Sequence, residues 1–191
     1  MVEAARPAVF LDRDGVLSVP EFRDGRSFAP KRLSDFHLYD DAAPSLRRLK
    51  DAGYALVVVT NQPDVGNGLT PEQEVEAMHR RLAAELPVDR IETCYHAQGA
   101  GCACRKPKPG MLLNAAAALK IDLGRSIMVG DRNSDMGAGR AAGCATVLID
   151  RGYRDERPQN ADHVVLTLTE ATDKILAQRV ARERAPQGET S

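Results

Sequence analysis

No excess of charge marks this chain. Its 191 residues carry 26 Lys and Arg against 27 Asp and Glu, a net charge of -1, so the balance offers no general attraction to nucleic acid or an anionic membrane. Long apolar runs are missing too. No stretch approaches the roughly 20 residues that a membrane-spanning helix needs, and the short polar start over residues 1–7 leads to the expectation of no secretory leader. Internal repeats and a domain linker are absent, which fits a single domain with a full core at this length. Cysteine is scarce: the chain has four, and three of them fall between Cys94 and Cys104. A cytoplasmic location is expected, where thiols stay reduced. There, clustered cysteines point to metal ligation and away from a disulfide framework.

What is present is concentrated in the run that follows Thr93. Cys94, His96, Cys102 and Cys104 form C-x-H-x5-C-x-C, three thiolates and one imidazole. That is the donor set of a closed tetrahedral Zn²⁺ site, with no coordination position left for chemistry. Arg105 and Lys106 follow the last ligand directly, so a metal that fixes the loop would also aim two cations at an anion. Cys144 has no nearby partner and reads as a buried core thiol.

Short Val- and Ile-rich runs at residues 8–12, 55–60, 126–130, 145–149 and 163–168 read as strands buried on both faces. Helices are expected between them, over residues 42–52, 70–86, 109–120, 134–142 and 169–181. Gly53 is the stop of the first, and Thr70-Pro71-Glu72 the capped, acidic start of the second. The alternation predicts an α/β fold, a doubly wound parallel sheet with helices on both faces. No large cap domain is expected, so the 17–40 insert and the zinc loop are the segments that can lean over a site. Residues 182–191 are polar and expected to fray. His37, His79 and His163 read as surface or packing residues, and Glu72, Glu74 and Glu76 as a solvated helix face. The Gly-rich stretch 137–143 lacks P-loop spacing.

Ligands of such sheets bind beyond the carboxyl ends of the strands. Polar residues follow three of those ends: Asp12-Arg13-Asp14-Gly15, Thr60-Asn61-Gln62 and Asp131-Arg132-Asn133-Ser134-Asp135. Each set alone is an ordinary turn former; together with Arg105 and Lys106 they compose a phosphoryl-transfer site. A carboxylate attacking a phosphate dianion meets like charge, which a divalent cation and fixed donors must offset. Asp12 can attack, while Asp14 protonates the leaving alkoxide and then takes a proton from water. Asp131 can complete a hard oxygen shell for Mg²⁺. Thr60 can donate to a phosphoryl oxygen, and Lys106 can neutralise charge as it builds.

These residues resemble the motifs of the haloacid dehalogenase (HAD) superfamily of phosphatases over nearly the whole chain. The first motif reads Phe10-Leu11-Asp12-Arg13-Asp14-Gly15-Val16, the second Val58-Val59-Thr60-Asn61-Gln62, the third Cys104-Arg105-Lys106-Pro107, and the fourth Val129-Gly130-Asp131. The zinc loop is similar to that of the branch containing the heptose 1,7-bisphosphate 7-phosphatases and the histidinol-phosphate phosphatases. The resemblance implies a Rossmann-like domain over residues 1–181 and a small phosphorylated substrate, a sugar bisphosphate foremost, with histidinol phosphate or another sugar phosphate as alternatives. It implies catalysis by Asp12, Asp14, Thr60 and Lys106. Mg²⁺ would be held by the Asp12 and Asp131 carboxylates and the Asp14 backbone carbonyl, and structural Zn²⁺ by Cys94, His96, Cys102 and Cys104. Asn61, Gln62, Arg105 and Arg132 become candidate substrate contacts. Ser18 and Pro63-Asp64 depart from the branch pattern, so the motifs fix the reaction type more firmly than the sugar. A monomer is expected, with neither nucleic acid nor membrane as partner. The contrasting reading, a non-catalytic zinc-bearing interaction domain, would be marked by loss of Asp12, Asp14, Lys106 or Asp131, and all four are present.

Overall fold

The computed structural model describes residues 5–23, 25–154 and 159–184. Alternation of strand and helix is realised throughout. In chain order the elements are β1 (Ala8–Leu11), β2 (Glu21–Arg23), β3 (Arg26–Phe28), α1 (Ala42–Asp51), β4 (Ala55–Asn61), α2 (Pro63–Gly66), α3 (Glu72–Glu85), β5 (Arg90–Cys94), α4 (Gly110–Leu119), β6 (Ile127–Gly130), α5 (Asn133–Ala141), β7 (Ala145–Ile149), β8 (His163–Val165) and α6 (Leu168–Arg184). Six strands form one parallel sheet in the order β5-β4-β1-β6-β7-β8, and β2 and β3 form a separate antiparallel hairpin. From central β1 the chain winds outward to β4 and β5, then crosses back to β6. The switch point therefore opens at the carboxyl ends of β1, β4 and β6, where a ligand crevice is expected.

Both faces of the sheet are buried, which is why its central strands are unbroken apolar runs. Val9, Leu11, Leu56 and Val58 point to one side, against Leu46 and Leu49 of α1, Met78 and Leu82 of α3, and Ile175 of α6. Ala8, Phe10, Val57 and Val59 alternate to the other, against Met111, Leu112 and Ala115 of α4 and Ala138 of α5. Each such buried Leu, Val or Phe is worth about 2 kcal/mol against exposure. Cys144 is buried in the second cluster as expected, and burial pushes its thiol up to about 12.

Several boundaries differ from expectation. β5 went unforeseen because only Ile91 and Cys94 in Arg-Ile-Glu-Thr-Cys are apolar and it lies at the sheet edge. The β2–β3 hairpin lacks a strand signal as well, being short and polar. Thr70 does not cap α3: Pro71 stands at that position, and Thr70 Oγ1 is buried without a hydrogen-bond partner. The last helix runs to Arg184, three residues past its expected end at residue 181; the remaining expected tail lies outside the described residues. Among the described residues no helix is long and apolar enough to cross a membrane.

Candidate active site

The carboxyl ends of β1, β4 and β6 deliver the expected residues to one crevice of about 390 Å³, lined by Asp12, Asp14, Thr60, Asn61, Gln62, Arg105, Lys106 and Arg132. Its roof includes Ser27 and Phe28 of the hairpin and Gln98 of the Cys/His loop, the two segments expected to lean over it. Asp12 follows β1 directly, and its N–H still donates to Val129 O of β6. Lys106 is 4% exposed and binds three ways. Its Nζ lies 2.8 Å from Asp12 Oδ1, 2.7 Å from Asp135 Oδ1 and 2.7 Å from the Val59 carbonyl it donates to.

Asn61 explains how Lys106 reaches so deep. Its amide Nδ2 donates to Lys106 O at 3.2 Å, and its Oδ1 accepts from Lys106 N at 3.1 Å, tying the end of β4 to the chain beyond Cys104. Gln62 is similarly committed, donating from Nε2 to Thr60 Oγ1 at 2.8 Å and to Asp14 Oδ2 at 2.9 Å. Both line the cavity, but these contacts organise neighbouring side chains. Arg105 differs: it lines the crevice, and its Nη1 is buried with no hydrogen-bond partner.

Asp14 is held by a buried network. Arg13 is fully buried, and its Nε donates to both Asp14 oxygens at 3.1 Å while Nη2 donates at 2.9 Å. Ser18 Oγ adds a bond at 3.0 Å. Arg13 Nη1 lies 3.1 Å from His79 Nε2. A guanidinium only donates, so His79 accepts and its ring is neutral. Burial, then the Arg13 charge, lowers the His79 pKa to about 4. His79 is thus a buried packing residue, with Arg13 as its partner. Glu74 and Glu76 are likewise not free on their helix face, since Glu74 accepts from Leu33 N and Glu76 from the Tyr95 hydroxyl.

Carboxylate oxygens of Asp12, Asp131 and Asp135 gather within 4.8 Å of one another. Asp131 Oδ2 accepts from the Tyr153 hydroxyl, and Oδ1 is buried without a partner. Asp135 is fully buried and accepts from Arg132 N through Oδ2 at 3.0 Å. Sequence reading left Asp135 and Tyr153 without roles. The spacing of Asp135, three residues after Arg132, was the available sign that its carboxylate could reach back to the Arg132 backbone N–H at the start of α5. Tyr153 had none, being joined to Asp131 only through the fold.

The second cluster brings Cys94, His96, Cys102 and Cys104 within 4.8 Å. Cys94 Sγ lies 3.7 Å from Cys102 Sγ and 3.2 Å from Cys104 Sγ, and His96 Nδ1 lies 3.6 and 3.3 Å from Cys94 and Cys104. Ligand edges of roughly 3.5–3.8 Å are what a tetrahedral zinc with Zn–S near 2.3 Å requires, so the four residues fit that ion. β5 ends on Cys94, and α2 packs beneath the loop. A Cβ on Gly66 would stand 2.4 Å from Ala97 N and 2.5 Å from Tyr95 O, so only glycine allows that approach.

A family model described as HAD-hydrolase-like matches residues 103–171. The chain is 35% identical, over 94% of its length and 96% of the relative's, to the D-glycero-beta-D-manno-heptose-1,7-bisphosphate 7-phosphatase of Escherichia coli (strain K12). It is 36% identical to the enzyme of the same name from Pasteurella multocida (strain Pm70), over 86% of this chain and 94% of that one. The crystal structure of D,D-heptose 1.7-bisphosphate phosphatase from B. bronchiseptica, complexed with magnesium and phosphate, superposes with a TM-score of 0.76 at 31% identity. It covers 90% of this chain and 99% of that chain. The chain belongs to the HAD-like phosphatases.

The electrostatics of this HAD-like phosphatase follow from burying so many acids together. Burial raises the Asp12 pKa to about 6 against the opposing pull of Lys106. Asp131 is raised well above the usual carboxylate range by burial, then by Asp12 and Asp135. Lys106 is raised above its ordinary value by Asp12 and Asp135, which outweigh its desolvation. The arrangement holds more negative charge than one lysine offsets, and a cation beside Asp131 Oδ1 would relieve it.

Proposed function

We propose that this phosphatase removes the 7-phosphate of D-glycero-D-manno-heptose 1,7-bisphosphate by way of a phosphoaspartate on Asp12. The observation that carries the reading is the floor of the crevice. There Asp12 stands beside Lys106 and within reach of Asp131, in a crevice that Arg105 also lines. In this account Asp12 attacks phosphorus while Lys106 and the Thr60 hydroxyl neutralise and orient the phosphoryl oxygens. Asp14, aimed by Arg13, Ser18 and Gln62, protonates the departing alkoxide and then accepts a proton from the water that hydrolyses the phosphoaspartate. Arg105 and Arg132 hold the remainder of the substrate, and Asn61 keeps Lys106 in place.

Mg²⁺ would be held by the carboxylates of Asp12 and Asp131, which the structure gathers, and, by the family resemblance, the Asp14 backbone carbonyl; the unpartnered Asp131 Oδ1 supports that assignment. When bound, the ion offsets the negative charge shared by nucleophile and phosphate. Zn²⁺ fits Cys94, His96, Cys102 and Cys104 as a structural ion, because four protein ligands close the tetrahedron. The size of the crevice suits a small metabolite, and the 35% identity to the Escherichia coli heptose bisphosphate phosphatase supports a heptose bisphosphate among the sugars.

The test is phosphate release with Mg²⁺ across a panel of both anomers of heptose 1,7-bisphosphate, histidinol phosphate, and several sugar and nucleotide monophosphates. We expect kcat/KM for a heptose bisphosphate to exceed the others by at least tenfold. A preference for histidinol phosphate would overturn the sugar assignment and leave the reaction type standing.

A further inference from the structure

Tyr153 lies outside every motif yet touches the metal-side aspartate. It sits on the loop after β7 and is 9% exposed. Its hydroxyl donates to Asp131 Oδ2, whereas Oδ1 of the same carboxylate is buried and unpartnered. The terminal torsion of an aspartate is broad and easily turned, so a fixed hydroxyl on one oxygen decides where the other points. A carboxylate oxygen of Asp131 belongs to the cluster with Asp12 and Asp135. Gly15 leaves room for the pair: a Cβ there would fall 1.9 Å from Asp131 Oδ2 and 2.8 Å from the Tyr153 hydroxyl oxygen. The backbone of Gly15, at φ +95°, also favours glycine.

The far side of the ring is held by the hairpin. Phe22 of β2 meets it at 5.9 Å between centroids, and the Arg132 guanidinium lies 5.0 Å from its centroid. Arg132 Nη2 in turn donates to Ser27 Oγ at 2.6 Å and Ser27 O at 3.2 Å on β3. One side chain therefore joins the segment over the crevice to the carboxylate beneath it. We propose that Tyr153 is a positioning residue for the divalent cation: its hydroxyl holds Asp131 so that Oδ1 faces the ion, and its ring ties that orientation to the β2–β3 hairpin. This rests on the reading of Asp131 as a Mg²⁺ ligand. Ion binding and hairpin seating are then linked, each strengthening the other.

Partners of this kind change metal affinity about 10- to 100-fold when removed. The experiment is a calorimetric titration of Mg²⁺ into substrate-free wild type, Tyr153→Phe and Asp131→Asn, with thermal unfolding as the fold control. Tyr153→Phe keeps the ring and should bind Mg²⁺ about tenfold or more weakly without losing its fold. A second readout follows the tyrosine spectrum of the same proteins. The chain has no tryptophan and four tyrosines, so tyrosine absorption and emission are unobscured, and Mg²⁺ should perturb them in wild type and far less in Tyr153→Phe. Equal Mg²⁺ affinity in wild type and Tyr153→Phe, or an unperturbed wild-type tyrosine spectrum on Mg²⁺ binding, overturns the proposal while the metal site stands. Undiminished binding by Asp131→Asn would instead overturn the metal assignment on which it rests.

Discussion

Lys106 keeps the buried acids of the crevice compatible with a folded chain, since its ammonium meets both Asp12 and Asp135. Removing one partner of a buried ion pair costs about 3–5 kcal/mol, so Lys106→Met should destabilise the protein by that order at pH 8 in urea unfolding. The loss should shrink at acidic pH. Without the lysine the Asp12 carboxyl pKa, already raised by burial, rises further above its unfolded value, the folded state binds more protons than the unfolded one, and stability falls as pH rises. His79 works in the opposite direction. Its pKa is near 6.5 when unfolded and about 4 when folded, so stability present above pH 6.5 is lost as pH falls toward 4. The difference amounts to roughly 3 kcal/mol at the acid end. His79→Gln should therefore unfold less readily on acidification than wild type, and an identical pH dependence of stability would contradict the buried neutral ring. Asp12, Asp14, Thr60, Lys106 and Asp131 were legible because each lies at or within a few residues of a strand end or a metal ligand in the chain. Asp135 and Tyr153 were not, because their partners come from the fold: Asp135 meets Lys106 across 29 positions and Tyr153 meets Asp131 across 22.

Among the elements, the Cys/His loop carries Arg105 and Lys106, and three supports fix it. β5 ends on Cys94, Asn61 of β4 brackets the Lys106 backbone, and α2 presses Gly66 against residues 95–97. Burial pushes the Cys94 thiol up to about 12, so in the metal-free loop it is protonated, and a bound ion is needed to hold it as thiolate. Stripping zinc with a chelator should lower the melting temperature and raise KM for the sugar phosphate by roughly tenfold or more. That expectation follows from losing the loop's geometry. Protein shown to be zinc-free that keeps its full activity would break the link between loop and cation pair. Gly66→Ala should act in the same direction with zinc still bound, because the added methyl group must displace loop backbone. The ligand spacing was legible as a pattern of donors. β5 and the hairpin were hidden because these short, polar segments lack the apolar run that marked β1, β4 and β6.

At the scale of the molecule, the order β5-β4-β1-β6-β7-β8 places three strand ends side by side, and that topology converts scattered Asp, Thr and Asn residues into one site. Alternation of strands and helices predicted the sheet. The strand order followed only from the fold, yet the rule that ligands gather at carboxyl strand ends already pointed to the right edge. The account stands or falls on Asp12 as nucleophile. The most direct measurement is an acid-quenched single turnover with radiolabelled heptose bisphosphate and Mg²⁺, followed by mapping of the labelled peptide. Wild type should carry transient label on the peptide containing Asp12, and Asp12→Asn should carry none and release phosphate at least a thousandfold more slowly. Turnover by Asp12→Asn close to the wild-type rate, or wild-type turnover with label never on that peptide, would contradict it.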